Sequence, residues 1–520
     1  MLFKCHCASC VGIEAVTVTV ELDMSDGIGL RLVGLPDNAV KESLLRVVTA
    51  LMSYGYRLPG KRILINLAPA DIRKEGSSFD LAIAIGLLAV SEQVAVPRGG
   101  EFLLLGELAL DGRLRPVPGA LPIAVHAKES GFRGCIFPRE SAMEAADLEG
   151  LEIYGVDSLA QVIDILAGDR DVQELLMRRE TVPERKVRRG TDFREVRGQP
   201  AAKRGLEIAA AGGHNLVLIG SPGSGKTMMA SCLPSILPPM SRAESVETSK
   251  IYSVCGCSIG RSGLMRERPF RTPHHSASLV SLIGGGAQAR PGEISLAHNG
   301  VLYLDEMAQF PRSSLDALRQ PLEDGRVTIS RARYKVTYPA SFMLIASMNP
   351  CPCGYYGDGT GRCHCTPQQI ATYMARISGP MMDRLDMHIR CDNVAAEDLM
   401  GGDEAESSEV IAERVIRARK VQLARFRDET ARKPTGEGVF TNAQMDAALL
   451  RRYCALGPQE SEFLKKAIVR LNLSARAYSR ILKLARTIAD LAGSPEIGLP
   501  HLAEAIGYRS LDRLTDLLYR

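Results

Sequence analysis

The sequence predicts an α/β protein in three parts: an N-terminal α/β domain, a central phosphate-loop α/β/α module, and a helical C-terminal domain. Three observations carry this. Up to residue 394, short β-branched or apolar runs alternate with helix-spaced segments. GSPGSGKT (220–227) lies between an apolar strand and a helix. Beyond residue 409 the pattern is almost wholly helical. The expected divisions are 1–168 for the first domain, 169–191 for a charged linker, 192–394 for the central module, 395–409 for a flexible connection and 410–520 for the helical domain.

In the first part, EAVTVTVEL (14–22) alternates in polarity and reads as a strand. DNAVKESLLRVVTALMSYG (37–55) has an Asp start, helical apolar spacing and a Gly stop. RILINLAP (62–69) is a second strand and SFDLAIAIGLLAVS a second helix. RRETVPERKVRR (178–189) carries six basic and two acidic residues and reads as a solvated linker. HNLVLIG (214–220) is a short apolar strand, followed by the helix TMMASCLPSIL (227–237). AAEDLMGGDEAESSE (395–409) is acidic and rich in small residues, as connections are. SARAYSRILKLARTIADLAGSP (474–495) begins at the N-cap Ser474 and stops at Gly493 and Pro495.

Composition narrows the class. A chain of 520 residues calls for roughly two to four domains. Hydrophobic residues at 45% and charged residues at 24% are an ordinary globular balance, so folding as a whole needs neither metals nor disulfides. A net charge of +4 is slight, so any nucleic-acid footprint must be local. The most apolar run, LAIAIGLLAV (81–90), is too short to span a bilayer, and no membrane partner is expected. MLFKCHCASCVGIEAV has no continuous apolar core of the signal-peptide kind. The thirteen cysteines are therefore expected in a reducing cytoplasm, where clusters bind metal more often than they pair.

The central module carries the chemistry. In Gly220, Ser221, Pro222, Gly223, Ser224, Gly225, Lys226 and Thr227, the glycines let backbone N–H groups face phosphate oxygens. Lys226 reaches the outer phosphates of ATP, and Thr227 offers a hydroxyl to Mg²⁺. VLYLDEM (301–307) is a buried strand ending in paired carboxylates: Asp305 to hold Mg²⁺ through water, Glu306 to deprotonate the attacking water. SFMLIASMNP (341–350) is a third strand, ending at Asn349, whose amide can hold that water. Strands ending in phosphate loop, acidic pair and asparagine describe an AAA+ ATPase. In SGPMMDRLDMHI (378–389), Arg384 is either salt-bridged to Asp383 or Asp386, or an arginine finger for the next subunit's nucleotide. Arg476 is the candidate for reaching the γ-phosphate from the lid, and Arg480, one helical turn on, competes with it.

Together with VGLPDNAVKES (33–43), NLAPADIRKEGSSFDL (66–81), RPFRTPHHSASLVSLIGGG (268–286), RPGEISLAHNGVLYLDE (290–306) and NPCPCG (349–354), these segments make the chain resemble the ComM/YifB family of magnesium-chelatase-like AAA+ ATPases over nearly its whole length. The resemblance implies a homo-oligomeric, hexameric ring and an ATP-driven DNA motor, a helicase for branch migration of single-stranded or branched DNA in recombination or natural transformation. It also implies two pore-facing insertions, around Gly284–Gly286 with Arg290 and at the hairpin VTISRARYKVTYP (327–339). At the hairpin tip Arg331, Arg333 and Lys335 flank Tyr334, a set that can grip phosphates and stack on a base; an ordinary solvated tip is the alternative. The N-terminal domain is similar to the proteolytic domain of Lon, with Ser78 of RKEGSSF (73–79) at the position of the nucleophile. Leu121 stands where the dyad lysine falls in Lon, and Lys128 lies about two helical turns on. A serine without a base is not activated, so a non-proteolytic scaffold is expected.

Cys351, Cys353, Cys363 and Cys365 form two Cys-x-Cys pairs around a glycine-rich turn. They can converge on one structural Zn²⁺, with His364 able to replace a thiolate; a redox-sensitive thiol cluster and an unliganded loop are the rivals. Cys5, His6, Cys7 and Cys10, at the edge of a first strand, read as ordinary small apolar residues rather than a second metal cluster, and Cys255 and Cys257 as structural. His274 and His275 position either the pore insertion or a subunit contact. VIAERVIRARKVQLARFR (410–427) reads as a solvated basic face. Rival functions are a metal-insertion motor of the chelatase type, an ATP-dependent protease and a protein-remodelling chaperone.

Overall fold

A computed structural model describes residues 2–168, 172–178, 191–286, 288–331, 334–393, 405–431, 438–471 and 473–509. The acidic connection lies mostly outside the described residues, as do most of the charged linker and Arg333 at the hairpin tip.

Strands β1 (Leu2–Val11) and β2 (Glu14–Ser25) form an antiparallel hairpin, closed by Gly12 in the left-handed region. With β3 (Gly29–Val33), β4 (Arg62–Ala68), β5 (Phe102–Leu104), β8 (Gly134–Pro138) and β9 (Glu152–Val156) they build a sheet of order β3-β4-β2-β1-β5-β8-β9. Two short strands, β6 (Glu107–Leu108) and β7 (Leu114–Arg115), pair separately. β1 is thus a paired inner strand. That explains Cys5 and Cys7: both are fully buried in the sheet, and burial pushes the Cys5 thiol up to about 12. The helix Asn38–Ser53 is capped by Asp37, whose carboxylate accepts from the Val40 N–H, and it ends two residues before the Gly stop read from sequence. The helix Asp80–Val90 is buried on every side, as its continuous apolar run requires.

The second sheet is parallel, of order β11-β14-β17-β10-β18, from β10 (Leu216–Gly220), β11 (Phe270–Arg271), β14 (Val301–Leu304), β17 (Met343–Met348) and β18 (Met387–Cys391). β10, β14 and β17 are buried along their whole length, which fits their unbroken apolar runs. β12 (Gly284–Gly285) pairs with β13 (Arg290–Pro291), and β15 (Arg326–Arg331) with β16 (Tyr334–Pro339); these are the two segments expected as insertions. The helix after β10 runs Lys226–Cys232 and tightens to a 3₁₀ turn at Leu233–Ile236, because Pro234 cannot continue the α pattern. Beyond residue 405 the described chain is helical. The helix Ala475–Leu491 is capped by Ser474 and stops before Gly493, which takes a positive φ. The basic helix Ser408–Ala431 is not simply a solvated face. Arg414 pairs with Glu207, Arg419 donates to the Ala210 and Ala211 carbonyls, and Arg425 pairs with Asp490.

Buried apolar side chains gather in three clusters. One spans Cys5 to Leu175 and fills the first sheet and its helices. The second joins one face of the parallel sheet to the C-terminal helices; the third lies on the other face and takes in Ile13 from the turn between β1 and β2. No helix of the described residues is long and apolar enough to cross a membrane.

Candidate active site

Because the second sheet is parallel, β10, β14 and β17 end on the same side, where loop residues converge. Gly223 and Gly225 both sit at φ +82° with open space where a Cβ would stand, so here glycine is needed for the backbone itself. The Lys226 ammonium is held by the Gly220 and Ser221 carbonyls, each at 2.8 Å, and lies 3.4 Å from Asn349 Oδ1. Burial lowers its pKa, with the charges of Asp305 and Glu306 opposing. Thr227 donates to Asp305 Oδ2 at 3.2 Å. The structure thus pairs Lys226 with Asn349 and Thr227 with Asp305 at the same end of the sheet.

Two residues that sequence reasoning missed hold the acidic pair in place. Ser347, fully buried on β17, donates to Asp305 Oδ1 and accepts from the Glu306 N–H at 3.1 Å. Tyr303 donates to the same carboxylate at 2.9 Å, and its own hydroxyl is pushed up by burial. Ser347 was discoverable as the lone hydroxyl in an apolar strand two residues before Asn349. Glu306 itself has φ +51°, a left-handed conformation costly for a non-glycine residue, and its side chain is exposed. Its carboxylate is free of the structural bonds that hold Asp305.

Arg384 sits between the helical turn Gly379–Met382 and β18, as its sequence context suggested. Neither adjacent carboxylate pairs with it. Its guanidinium pairs with Glu323, while Asp383 pairs with Arg476 at 3.1 Å and Asp386 with Arg480 at 2.9 Å. Arg384 borders a cleft of about 910 Å³ with Glu323, Arg326, Arg480 and Lys483, and none of residues 220–227 lines that cleft. Arg384 therefore makes its ion pair in a cleft that the phosphate loop of its own chain does not line. Arg476 is exposed and Arg480 largely buried.

Of the hairpin-tip residues, Lys335 is exposed, and Arg331 and Tyr334 lie at the paired ends of their strands. The His274 and His275 rings lie 4.0 Å apart, with Phe310 edge-on to His275.

In the N-terminal domain Ser78 is half-buried and Leu121 fully packed. The Gly119 and Leu121 N–H groups donate to the Ser253 carbonyl and hydroxyl. Gly260 and Gly263 N–H groups donate back to the Glu140 and Met143 carbonyls. The face carrying Leu121 is thus occupied by the segment 253–263. Buried Lys74, four residues before Ser78, commits its ammonium to the Pro69 carbonyl.

The sulfurs of Cys351, Cys353, Cys363 and Cys365 all lie within 4.8 Å of one another, the one such cluster among the described residues. His364 is exposed and outside the cluster.

Residues 192–399 match the family description "Magnesium chelatase, subunit ChlI", residues 20–141 match "Subunit ChlI of Mg-chelatase", and residues 405–509 match "Magnesium chelatase, subunit ChlI C-terminal". The chain is 44% identical over 514 residues to the competence protein ComM of Haemophilus influenzae, covering 98% of this chain and 97% of that one. It is 43% identical over 514 residues to YifB of Salmonella typhimurium, with the same coverage. A shorter stretch of 125 residues is 30% identical to Lon protease 2 of Bacillus subtilis, covering 24% of this chain and 22% of that one.

Proposed function

The chain belongs to the ComM/YifB family of magnesium-chelatase-like AAA+ ATPases, and on that premise we propose that it is a ring-forming, ATP-driven DNA motor of the cytoplasm. The observation that carries the ATPase half is the meeting of Lys226, Thr227, Asp305 and Asn349 at one end of the parallel sheet. In this reading Lys226 binds the outer phosphates. Thr227 and Asp305 hold Mg²⁺, which supplies neutralisation of phosphate charge when bound. Glu306 takes the proton of the attacking water, and Asn349 orients that water. Arg384 serves the nucleotide of a neighbouring subunit in a hexamer as an arginine finger, and Arg476 reaches the γ-phosphate from the lid. A structural Zn²⁺ on the four cysteines completes the cofactors.

The DNA half rests on the name of the ComM relative and on a hairpin that exposes Lys335 and pairs Arg331 with Tyr334 at the described ends of its strands, with Arg333 between them in sequence. The domains read from sequence, with a Lon-like scaffold, an AAA+ core and a helical lid, are part of the same proposal. The test is ATP hydrolysis with and without single-stranded and forked DNA, followed by strand displacement. Stimulation by DNA and unwinding of a fork are expected, both abolished by Lys226→Ala. ATP hydrolysis indifferent to DNA, with no DNA binding at low salt, refutes the motor and favours a protein-remodelling ATPase.

A further inference from the structure

Resting on the reading of Lys226, Thr227, Asp305 and Glu306 as the ATP site, we propose that Zn²⁺ on Cys351, Cys353, Cys363 and Cys365 fixes the cysteine loop as a wall of that site, so that metal occupancy sets nucleotide affinity.

The donor set fits zinc. Four thiolates about 2.3 Å from a tetrahedral ion stand about 3.8 Å apart. Here Cys351 Sγ lies 3.3 Å from Cys353 Sγ and 3.8 Å from Cys363 Sγ, and Cys353 Sγ lies 3.6 Å from Cys363 Sγ. The loop has almost no core: between residues 351 and 365 only Cys351 and Gly354 are buried, and its other internal ties include the exposed bonds of Asp358 with Thr360 and Arg362 and the Arg362 guanidinium over the Tyr355 ring.

The loop also touches the phosphate loop. Gly354 has φ +86°, and a Cβ there would stand 2.7 Å from Pro222 Cδ and 3.8 Å from the Asn349 side chain. Bare backbone is therefore packed on the proline of GSPGSGKT. Gly357 approaches the Arg390 guanidinium on β18, with a Cβ position 3.2 Å away. Both ends of the loop return to the same place. Cys351 follows Asn349 by two residues. Cys365 precedes Thr366, which caps the helix Pro367–Met374, and Tyr373 of that helix is buried in the same apolar cluster as Met348, next to Asn349. Four thiolates on one ion close this circuit; without it the contact with Pro222 hangs on a loop with no core.

The test uses the full chain. Zinc content is measured by atomic emission, and the affinity for a fluorescent ATP analogue with Mg²⁺ is measured before zinc removal by TPEN, after it, and after zinc is restored. TPEN takes zinc and leaves Mg²⁺. Near one zinc per chain is expected, with affinity falling about tenfold on removal and recovering on re-addition. Cys353→Ser/Cys365→Ser should lose zinc and affinity together. Gly354→Val should keep zinc yet weaken binding, since its side chain meets Pro222. Absence of zinc from freshly purified, reduced protein overturns the proposal, as does equal nucleotide affinity with and without zinc. If the zinc-loaded wild type binds no ATP analogue, the ATP-site reading falls and takes the coupling with it.

Discussion

Asp386→Asn is the most informative single change outside the phosphate loop. Asp386 Oδ2 accepts the Asn215 N–H at 3.0 Å, just before β10, and Oδ1 accepts Arg480 Nη1 at 2.9 Å from the C-terminal helix. His214 Nδ1 lies 3.5 Å away. Burial opposes ionisation, yet the nearby His214 imidazole, the charge of Arg480 and the bond from the Asn215 N–H outweigh it and hold the carboxyl well below the usual range. The sign follows: an unfolded Asp titrates near about 3.9, so this group stabilises the fold fully above that pH and loses the contribution as pH falls below it. Asparagine keeps an acceptor for the Asn215 N–H but strips Arg480 of its partner. Breaking one side of a buried pair costs roughly 3–5 kcal/mol, and the retained backbone bond puts the expectation at the lower end, about 3 kcal/mol. For a cooperative unit of 150–250 residues that is a fall in Tm of roughly 6–12 °C. Calorimetry from pH 7 downward, comparing the transition of the ATPase core in wild type and variant, measures it. The gap should narrow below about pH 4. A loss under about 1 kcal/mol at pH 7, or a gap independent of pH, refutes the argument that this ion pair ties the C-terminal helices to the sheet.

Glu306→Gln should bind ATP with unchanged affinity and lower turnover by about 10²–10⁴, because the exposed carboxylate takes no part in the bonds holding Asp305; turnover within threefold of wild type in a single-turnover assay counts against its role as base. Arg384→Ala should bind ATP yet hydrolyse it poorly. In mixtures with Lys226→Ala subunits some activity should return, whereas mixtures no better than either parent argue against action across subunits. Replacing Arg331, Arg333 and Lys335 by Ala should weaken DNA binding and flatten its salt dependence by up to about 3 in log–log slope, as measured by anisotropy titration at several salt concentrations. Ser78→Ala should leave ATP hydrolysis unchanged, and no peptidase activity should be found in either protein with casein as substrate.

The three strand ends were legible because each couples an unbroken apolar run to a polar group with one chemical use. The run fixes the strand and the parallel sheet then aligns the ends. Ser347 escaped because a single hydroxyl inside an apolar strand has no pattern around it; only the sheet register shows that it reaches both Asp305 and Glu306. One of the two readings of Arg384, the local salt bridge, fails for a related reason. Sequence neighbours Asp383 and Asp386 look like its counter-ions, but the turn after Met382 points them toward Arg476 and Arg480, some 90 residues away in the chain and therefore invisible to local reading. The inner position of β1 was likewise a long-range fact, set by pairing with both β2 and β5.

That redistribution of charge bears on how a finger can work. An arginine locked to an adjacent buried carboxylate would lose that pair on reaching for phosphate, at a cost of several kcal/mol. Here the two neighbouring carboxylates are already engaged by Arg476 and Arg480, so neither competes for Arg384. Its actual partner, Glu323, has a side chain 57% exposed, whereas the Arg384 side chain is only 9% exposed, so water reaches the pair from the Glu323 side alone. Arg384 can exchange Glu323 for a phosphate oxygen as one anion replaces the other, since a largely buried guanidinium is costly to leave unpaired, while Asp386 and Arg480 keep the helix and strand on either side of it in register. The proposed mechanism needs this combination: an anchored base for the finger and a counter-ion exposed enough to be displaced. Glu323→Gln separates the two. If Glu323 is only a resting partner, the variant should leave ATP hydrolysis at or above wild type; a loss as large as that of Arg384→Ala would make Glu323 part of the site and refute the exchange.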